Sequence, residues 1–182
     1  MRQSLATRFS PRELALASLF GASGLLLPVV FHLVNLGAVF MPMYLPLVTL
    51  AFLVRPTVSV STAVLVPLLS ALATGMPPFY PPIVFIMMVE LAGMALLVSM
   101  LRRTSMDIWL VLVGAILLGR VLNAAASFGA AKLLDLPAGF FTFATFVSSW
   151  PGLVLLLAVV PPLVRVFRQS PQARRIHQQE AP

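Results

Sequence analysis

Long apolar stretches alternate with short arginine clusters along the chain. The clusters are Arg2, Arg8 and Arg12, then Arg55, then Arg102 and Arg103, and finally Arg165, Arg168, Arg174 and Arg175. Each interval between clusters is long enough for two membrane-spanning helices of about 20 residues joined by a turn. When every cluster is placed in the cytoplasm, as the positive-inside rule favours, the chain crosses the membrane six times with both termini inside.

We therefore predict an all-α integral membrane protein, a bundle of six transmembrane helices. The predicted spans are Leu14–Val34, Met41–Val54, Thr57–Ala73, Pro81–Leu101, Met106–Ala131 and Phe140–Val164. The second span is short and contains Pro46, so we expect it to be tilted, broken or surrounded by its neighbours. Residues 1–13 are predicted to form a cytoplasmic N-terminal segment, 14–168 the membrane domain, and 169–182 a disordered basic tail.

Composition narrows the function classes. The chain is 60% hydrophobic and 9% charged, with a mean hydropathy of +1.02, which is typical of a membrane-embedded protein. All of its arginines except Arg120 lie outside the predicted spans, so we expect no nucleic-acid partner. The sequence has no cysteine, P-loop, H-E-x-x-H site or G-x-S-x-G elbow. We accordingly predict no enzymatic activity, no cofactor and no metal site.

The stretch GMPPFYPP, residues 75–82, interrupts the apolar pattern with four prolines. It is predicted to be the external connection between the third and fourth spans. Prolines fix the backbone and thereby hold Phe79 and Tyr80 at the external face. These rings could equally belong to an aromatic belt at the membrane interface or to a surface that contacts a ligand.

Two opposite charges are predicted at matching depth inside the membrane. Glu90 lies in the fourth span and Arg120 in the fifth, each roughly 15 Å from the external surface by helical rise. Because an isolated charge is costly there, we predict an ion pair between them. Asn123 shares a helical face with Arg120. The pair is interpreted as a structural strut, and the floor of an external binding cavity is the alternative.

Aromatic and polar residues gather near the predicted external ends of the spans. This mixture of ring surfaces with a few hydrogen-bonding groups suits a small-molecule pocket. For His32, hydrogen bonding at the membrane interface is the simpler explanation. Lys132 is a further candidate for a ligand carboxylate, with solvent exposure as the alternative. The candidate substrate-binding residues are His32, Asn35, Tyr44, Thr74, Phe79, Tyr80, Asn123 and Trp150.

Small residues recur at four-residue spacing in the first span. Ala17 and Gly21 form one such pair, and Ser18 and Ala22 are offset from them by one residue. This spacing permits close approach of another helix. We predict that Ala17 and Gly21 contact a partner protein, while packing within the chain explains the spacing equally well.

Residues 40–93 resemble the substrate-binding S component of energy-coupling factor (ECF) vitamin transporters. The resemblance includes the proline-flanked second span, the arginine–proline inner turn, PLLSALATGMPP at residues 67–78 and the glutamate of the fourth span. It continues through Gly119–Arg120 and PGLVLLLAVVPPLV at residues 151–164, so it covers about four-fifths of the chain.

The resemblance implies a six-helix bacterial inner-membrane protein that binds a vitamin or related micronutrient from outside. It further implies that GMPPFYPP is a pocket wall or lid. A transmembrane coupling protein and two ATPases are the implied partners, with Ala17 and Gly21 as the matching contact residues. Two alternatives stay open: a structural membrane protein resembling the rod-shape determinant MreD, and a stand-alone secondary carrier.

Overall fold

The computed structural model describes residues 10–33, 40–135 and 150–169. Asn35, Phe140 and the predicted tail after Gln169 lie outside these ranges. The described residues form a helical bundle. Its helices are α1 (Pro11–Leu33), α2 (Tyr44–Leu53), α3 (Pro56–Thr74), α4 (Ile83–Leu101), α5 (Ile108–Leu133) and α6 (Trp150–Gln169).

Five of these helices are long and apolar enough to cross a membrane, and α2 is the exception. Its 10 residues extend only about 15 Å, roughly half the thickness of a bilayer core. The described part of the chain therefore has the features of a multi-pass membrane protein. The number of six spans and the cytoplasmic position of both termini stay predictions.

Local sequence accounts for several helix boundaries. Pro56 occupies the first turn of α3, where a missing N–H is harmless. Gly75 ends α3 in the left-handed conformation, with φ of 74° and its N–H donated to the Ala71 carbonyl. Asp107 caps α5 by accepting a hydrogen bond from the Trp109 N–H at 2.7 Å. The observed boundaries fall within a few residues of the predicted ones for α3, α4 and α5.

The short helix α2 lies at the centre of the bundle. Eight of its ten residues are buried, and it packs against α1, α3, α4 and α6. A helix that is apolar on all sides is stable only when other helices surround it. The long helices instead expose large apolar side chains such as Leu26, Leu117 and Val121, which suit contact with lipid. The expectation that Pro46 belongs to a span surrounded by its neighbours agrees with this packing.

The two ends of the bundle differ in composition. At the arginine end, which we define by Glu13, Arg55, Arg102 and Arg168, the Glu13 carboxylate accepts hydrogen bonds from the Arg55 backbone N–H at 3.0 Å and from its Nε at 2.8 Å. Arg168 Nη2 donates to the Phe52 carbonyl at 3.3 Å. The opposite end, defined by residues 75–82, is the proline end.

Candidate functional site

Glu90 is completely buried in α4 and is surrounded by hydrogen-bond donors. Tyr44 Oη donates to its Oε2 at 2.6 Å, and Asn123 Nδ2 donates to the same oxygen at 2.8 Å. Arg120 forms an ion pair with Oε1. We call Tyr44, Glu90, Arg120 and Asn123 the Glu90 cluster. It includes the contact between Glu90 and Arg120 that the sequence suggested.

Three helices bring the Glu90 cluster together. Tyr44 is the first residue of α2, while Arg120 and Asn123 are three residues apart on one face of α5. Glycines allow α4 and α5 to approach closely at this level. A Cβ at Gly119 would lie 2.7 Å from Met94 Sδ, and one at Gly93 would overlap the Leu122 side chain. Larger residues at either position would force neighbouring side chains to shift.

The donors around Glu90 compensate for the burial of its charge. A buried carboxylate is tolerated when an opposite charge and hydrogen bonds replace its hydration. Glu90 has both, and the Arg120 side chain is itself only 12% exposed. The cluster therefore links α2, α4 and α5 through polar contacts in an otherwise apolar interior.

The Glu90 cluster also marks the depth at which α2 begins. Glu90 follows the first residue of α4 by seven positions, which is roughly 10 Å along the helix. Because Tyr44 meets Glu90 there, α2 fills the centre of the bundle only from this level toward the arginine end. Residues 40–43, which precede α2, include Met41 with a positive φ of 48°.

Thr74, a candidate ligand-binding residue, contacts the backbone of the proline end. Its Oγ1 donates to the Ser70 carbonyl at 2.8 Å and accepts from the Met76 N–H at 3.2 Å. Ser70 Oγ donates to the Met76 carbonyl at 2.8 Å. These bonds tie the start of the proline turn to the last turn of α3. The adjacent Phe79 packs edge-on against Phe85, with ring centroids 6.1 Å apart.

The other candidate binding residues are dispersed. Tyr80 and Trp150 are 72% and 61% exposed, and His32 is also exposed near the end of α1. Tyr44 and Asn123 instead belong to the buried Glu90 cluster, and Asn35 lies outside the described residues. The structure thus brings together Tyr44 and Asn123 but leaves the shared ligand pocket a prediction. Lys132 Nζ lies 4.8 Å from the Phe128 ring centroid, a cation–π contact.

An apolar groove of about 360 Å³ lies between α4 and α5 toward the proline end. Phe85 and Val89 line one side, and Ala126 and Ala130 line the other. The sequence analysis did not identify it. Small residues on α5 opposite an aromatic ring on α4 are its only sequence signal. The groove offers apolar contact but little hydrogen bonding, so it suits a hydrocarbon portion of a molecule rather than a charged group.

The small residues of α1 divide between two faces. Gly21 is buried, and a Cβ there would lie 3.6 Å from side-chain atoms of Thr62 and Val66 on α3. Ala17 is half-buried against the apolar interior. Ser18 and Ala22 are exposed on the other face. The internal packing considered for this spacing is therefore present at Gly21, and partner contact by Ala17 and Gly21 stays a prediction.

Comparison with known proteins yields no relative for this chain: no protein-family model, curated protein or solved structure matches it. Within the described ranges, no group of three or more His, Asp or Glu side chains is arranged to hold a metal ion. Functional inference therefore depends on the chain's own geometry and on the motifs of its sequence.

Proposed function

We propose that this protein is a membrane-embedded substrate-binding subunit for uptake of a vitamin or related micronutrient. In this proposal it resides in the bacterial inner membrane and binds its substrate from the external face. A separate transmembrane coupling protein with ATPases supplies the energy, as the resemblance to ECF S components implies. The chain itself performs no catalysis and needs no cofactor.

One observation carries the proposal: α2 begins at the Glu90 cluster, in the middle of the bundle, instead of at its proline end. Non-helical backbone at membrane depth is tolerated where protein covers it or where it lines a cavity. Transporter sites are often built at such interrupted helices near the membrane midplane. We infer that the substrate binds on the proline side of α2, above Tyr44.

The candidate residues would have different roles in this site. Phe79, Tyr80 and Trp150 would supply ring surfaces from the proline end, and His32 and Asn35 would supply polar groups. Thr74 would act by holding the proline turn, since its hydroxyl is bonded to that backbone. The Glu90 cluster would form the base of the site, because Glu90 already has three donors.

Native mass spectrometry of the gently purified protein tests the proposal. We expect a retained small metabolite, released by denaturation and identifiable by its mass. Binding of a vitamin panel should then identify a ligand whose affinity falls by tenfold or more in a Tyr80→Ala, Trp150→Ala double variant. Met100→Ala is the matched control, because Met100 is a similarly exposed side chain near the arginine end. Absence of any ligand, or equal loss in the control, would overturn the proposal.

Partner coupling has a separate test on α1. Of the predicted contact residues Ala17 and Gly21, Gly21 packs against α3, so the test uses its exposed neighbour Ala22. We expect Ala22→Leu to preserve the fold and ligand binding while reducing co-purification of an ATPase-bearing partner. Gly21→Leu should instead destabilise the bundle, which separates loss of partner contact from loss of folding.

A structural role of the MreD-like type has one observation in its favour. The Glu90 carboxylate is completely buried and fully engaged by Tyr44, Arg120 and Asn123, as expected of a strut that fixes helix packing. A protein of this kind would retain no metabolite and would lose cell-shape function when its exposed faces are altered. The mass measurement above distinguishes the two functions.

A further inference from the structure

Arg102 is the residue that ends α4 at the arginine end. Its Nε is buried and has no hydrogen-bond acceptor among the described residues. Buried polar groups in folded proteins nearly always have partners, because leaving one unsatisfied costs about 1–3 kcal/mol. An acceptor bound beside Arg102 would remove this cost.

The charges near Arg102 are mostly positive. Burial lowers the pKa of the Arg102 guanidinium from its ordinary value, Arg103 and Arg168 lower it further, and the Glu13 carboxylate acts in the opposite direction. Arg103 and Arg168 are exposed. A bound anion would therefore satisfy the buried Nε and also reduce the repulsion among three guanidinium groups.

The described carboxylates at the arginine end already have donors. Glu13 accepts both hydrogen bonds from Arg55, and Asp107 accepts the Trp109 N–H that starts α5. Arg168 uses one nitrogen on the Phe52 carbonyl and keeps its other N–H groups for further contacts. The acceptor for Arg102 is thus best supplied from outside the described chain.

We propose that Arg102, together with Arg103 and Arg168, binds the phosphate of an anionic phospholipid. Guanidinium groups match phosphate oxygens in bidentate geometry. Arg102 and Arg103 follow the last residue of α4, and Arg168 lies in the last turn of α6, at the level where lipid headgroups meet the protein. A lipid is always present at this boundary, whereas a free anion would have to reach the site from solution. This inference is independent of the transport function proposed above.

Binding of phosphatidylglycerol to the delipidated full-length protein tests the inference. Native mass spectrometry in detergent would titrate phosphatidylglycerol and phosphatidylcholine separately. We expect one phosphatidylglycerol to bind at least tenfold more tightly than phosphatidylcholine, and Arg102→Gln to remove most of this preference. Arg12→Gln is the matched control, because Arg12 is an exposed arginine at the same end. A general surface attraction would change by a similar factor, about fivefold, for either arginine, so a built site requires a clearly larger loss for Arg102→Gln than for Arg12→Gln.

Two further measurements identify the source of the anion and exclude misfolding. Inorganic phosphate added at millimolar concentration should not displace the lipid. If phosphate binds with the same Arg102 dependence and phosphatidylglycerol binds no better than phosphatidylcholine, the lipid assignment is wrong. Arg103→Gln with Arg168→Gln leaves the buried Arg102 in place, although it removes the Arg168 hydrogen bond to the Phe52 carbonyl. Even if Arg102→Gln fails to fold, this double variant should reduce the preference more than a matched pair of substitutions at exposed arginines outside the site. Equal losses for this double variant and for a control with Arg12→Gln and Arg165→Gln would show diffuse attraction and no built site.

Discussion

The arginine end and the proline end of the bundle are held by different kinds of contact. At the arginine end, polar bonds join segments that are distant in sequence, Glu13 to Arg55 and Arg168 to Phe52. At the proline end, Ser70 and Thr74 bond to Met76, only a few residues away. Long-range contacts fix how helices are arranged, whereas local contacts fix the shape of one turn.

The Glu90 cluster lies between these two regions. Like the contacts of the arginine end, its hydrogen bonds and ion pair join residues that are distant in sequence. It joins α2, α4 and α5, and the central helix α2 extends from it toward the arginine end. We therefore expect substitutions in the cluster and at the arginine end to reduce stability. Substitutions of exposed side chains at the proline end should alter function while leaving the fold intact.

The largest effect is expected for Glu90→Gln. It leaves the Arg120 guanidinium in a mostly buried site without its counter-charge, which costs about 3–5 kcal/mol. The free energy of unfolding in detergent, followed by circular dichroism, measures this loss, and folded yield should fall with it. A compensating Arg120→Gln in the same chain should recover part of the stability. Wild-type stability in the single variant would show that the pair contributes nothing to the fold.

A smaller loss is expected for Gly119→Ala on α5. The added Cβ would lie 2.7 Å from the sulfur of Met94, a buried side chain with little room to move, so the cost is about 1–3 kcal/mol. Gly114→Ala on the same helix meets no atom within 4 Å and should be neutral or stabilising. Comparing the two unfolding free energies cancels the common gain in helix propensity. Equal values would contradict the close approach of α4 and α5.

Glu13→Gln probes the arginine end. It removes the carboxylate that accepts two hydrogen bonds from Arg55, and we expect a loss of about 1 kcal/mol because both side chains are partly exposed. The loss should shrink as salt is raised, since screening weakens partly exposed ion pairs. A loss of unfolding free energy as large as that of Glu90→Gln would mean that the two ion pairs contribute equally to stability.

The smallest effect on stability is expected at the proline end. Tyr80→Ala truncates a side chain that is 72% exposed, so the unfolding free energy should stay within about 0.5 kcal/mol of wild type. The same variant should weaken ligand binding if the proposed function is right. Substantial destabilisation would instead give Tyr80 a structural role and remove the contrast between the two ends.

Sequence reasoning identified the features that depend on composition and spacing. Apolar length between arginine clusters predicts six spans, and five of the described helices are long and apolar enough to cross a membrane. The high cost of a buried charge suggested the contact of Glu90 with Arg120. Sequence reasoning assigned Tyr44 to a ligand, because a tyrosine beside prolines carries no signal that it turns inward. The partner of Tyr44 depends on where α2 begins and on how α2 packs against α4, and spacing along the chain determines neither.

The close approach at Gly119 and the apolar groove were also beyond the sequence. Both depend on the rotation of α4 against α5, which the apolar pattern leaves undetermined because these helices have apolar residues on every side. The same uncertainty affects α1, where Ala17–Gly21 and Ser18–Ala22 have equivalent spacing. Only the structure shows that Gly21 of the first pair is buried and that Ala22 of the second pair is exposed.

A double-mutant cycle between Tyr44→Phe and Glu90→Gln tests the central claim most directly, namely that the interrupted helix α2 is anchored on the buried carboxylate of α4. The four unfolding free energies would be measured in the same detergent. With Tyr44 Oη donating to Glu90 at 2.6 Å, we predict a coupling energy of about 1 kcal/mol or more. If the loss of unfolding free energy in the double variant equals the sum of the two single-variant losses within about 0.3 kcal/mol, the claim that Tyr44 anchors α2 on Glu90 is wrong.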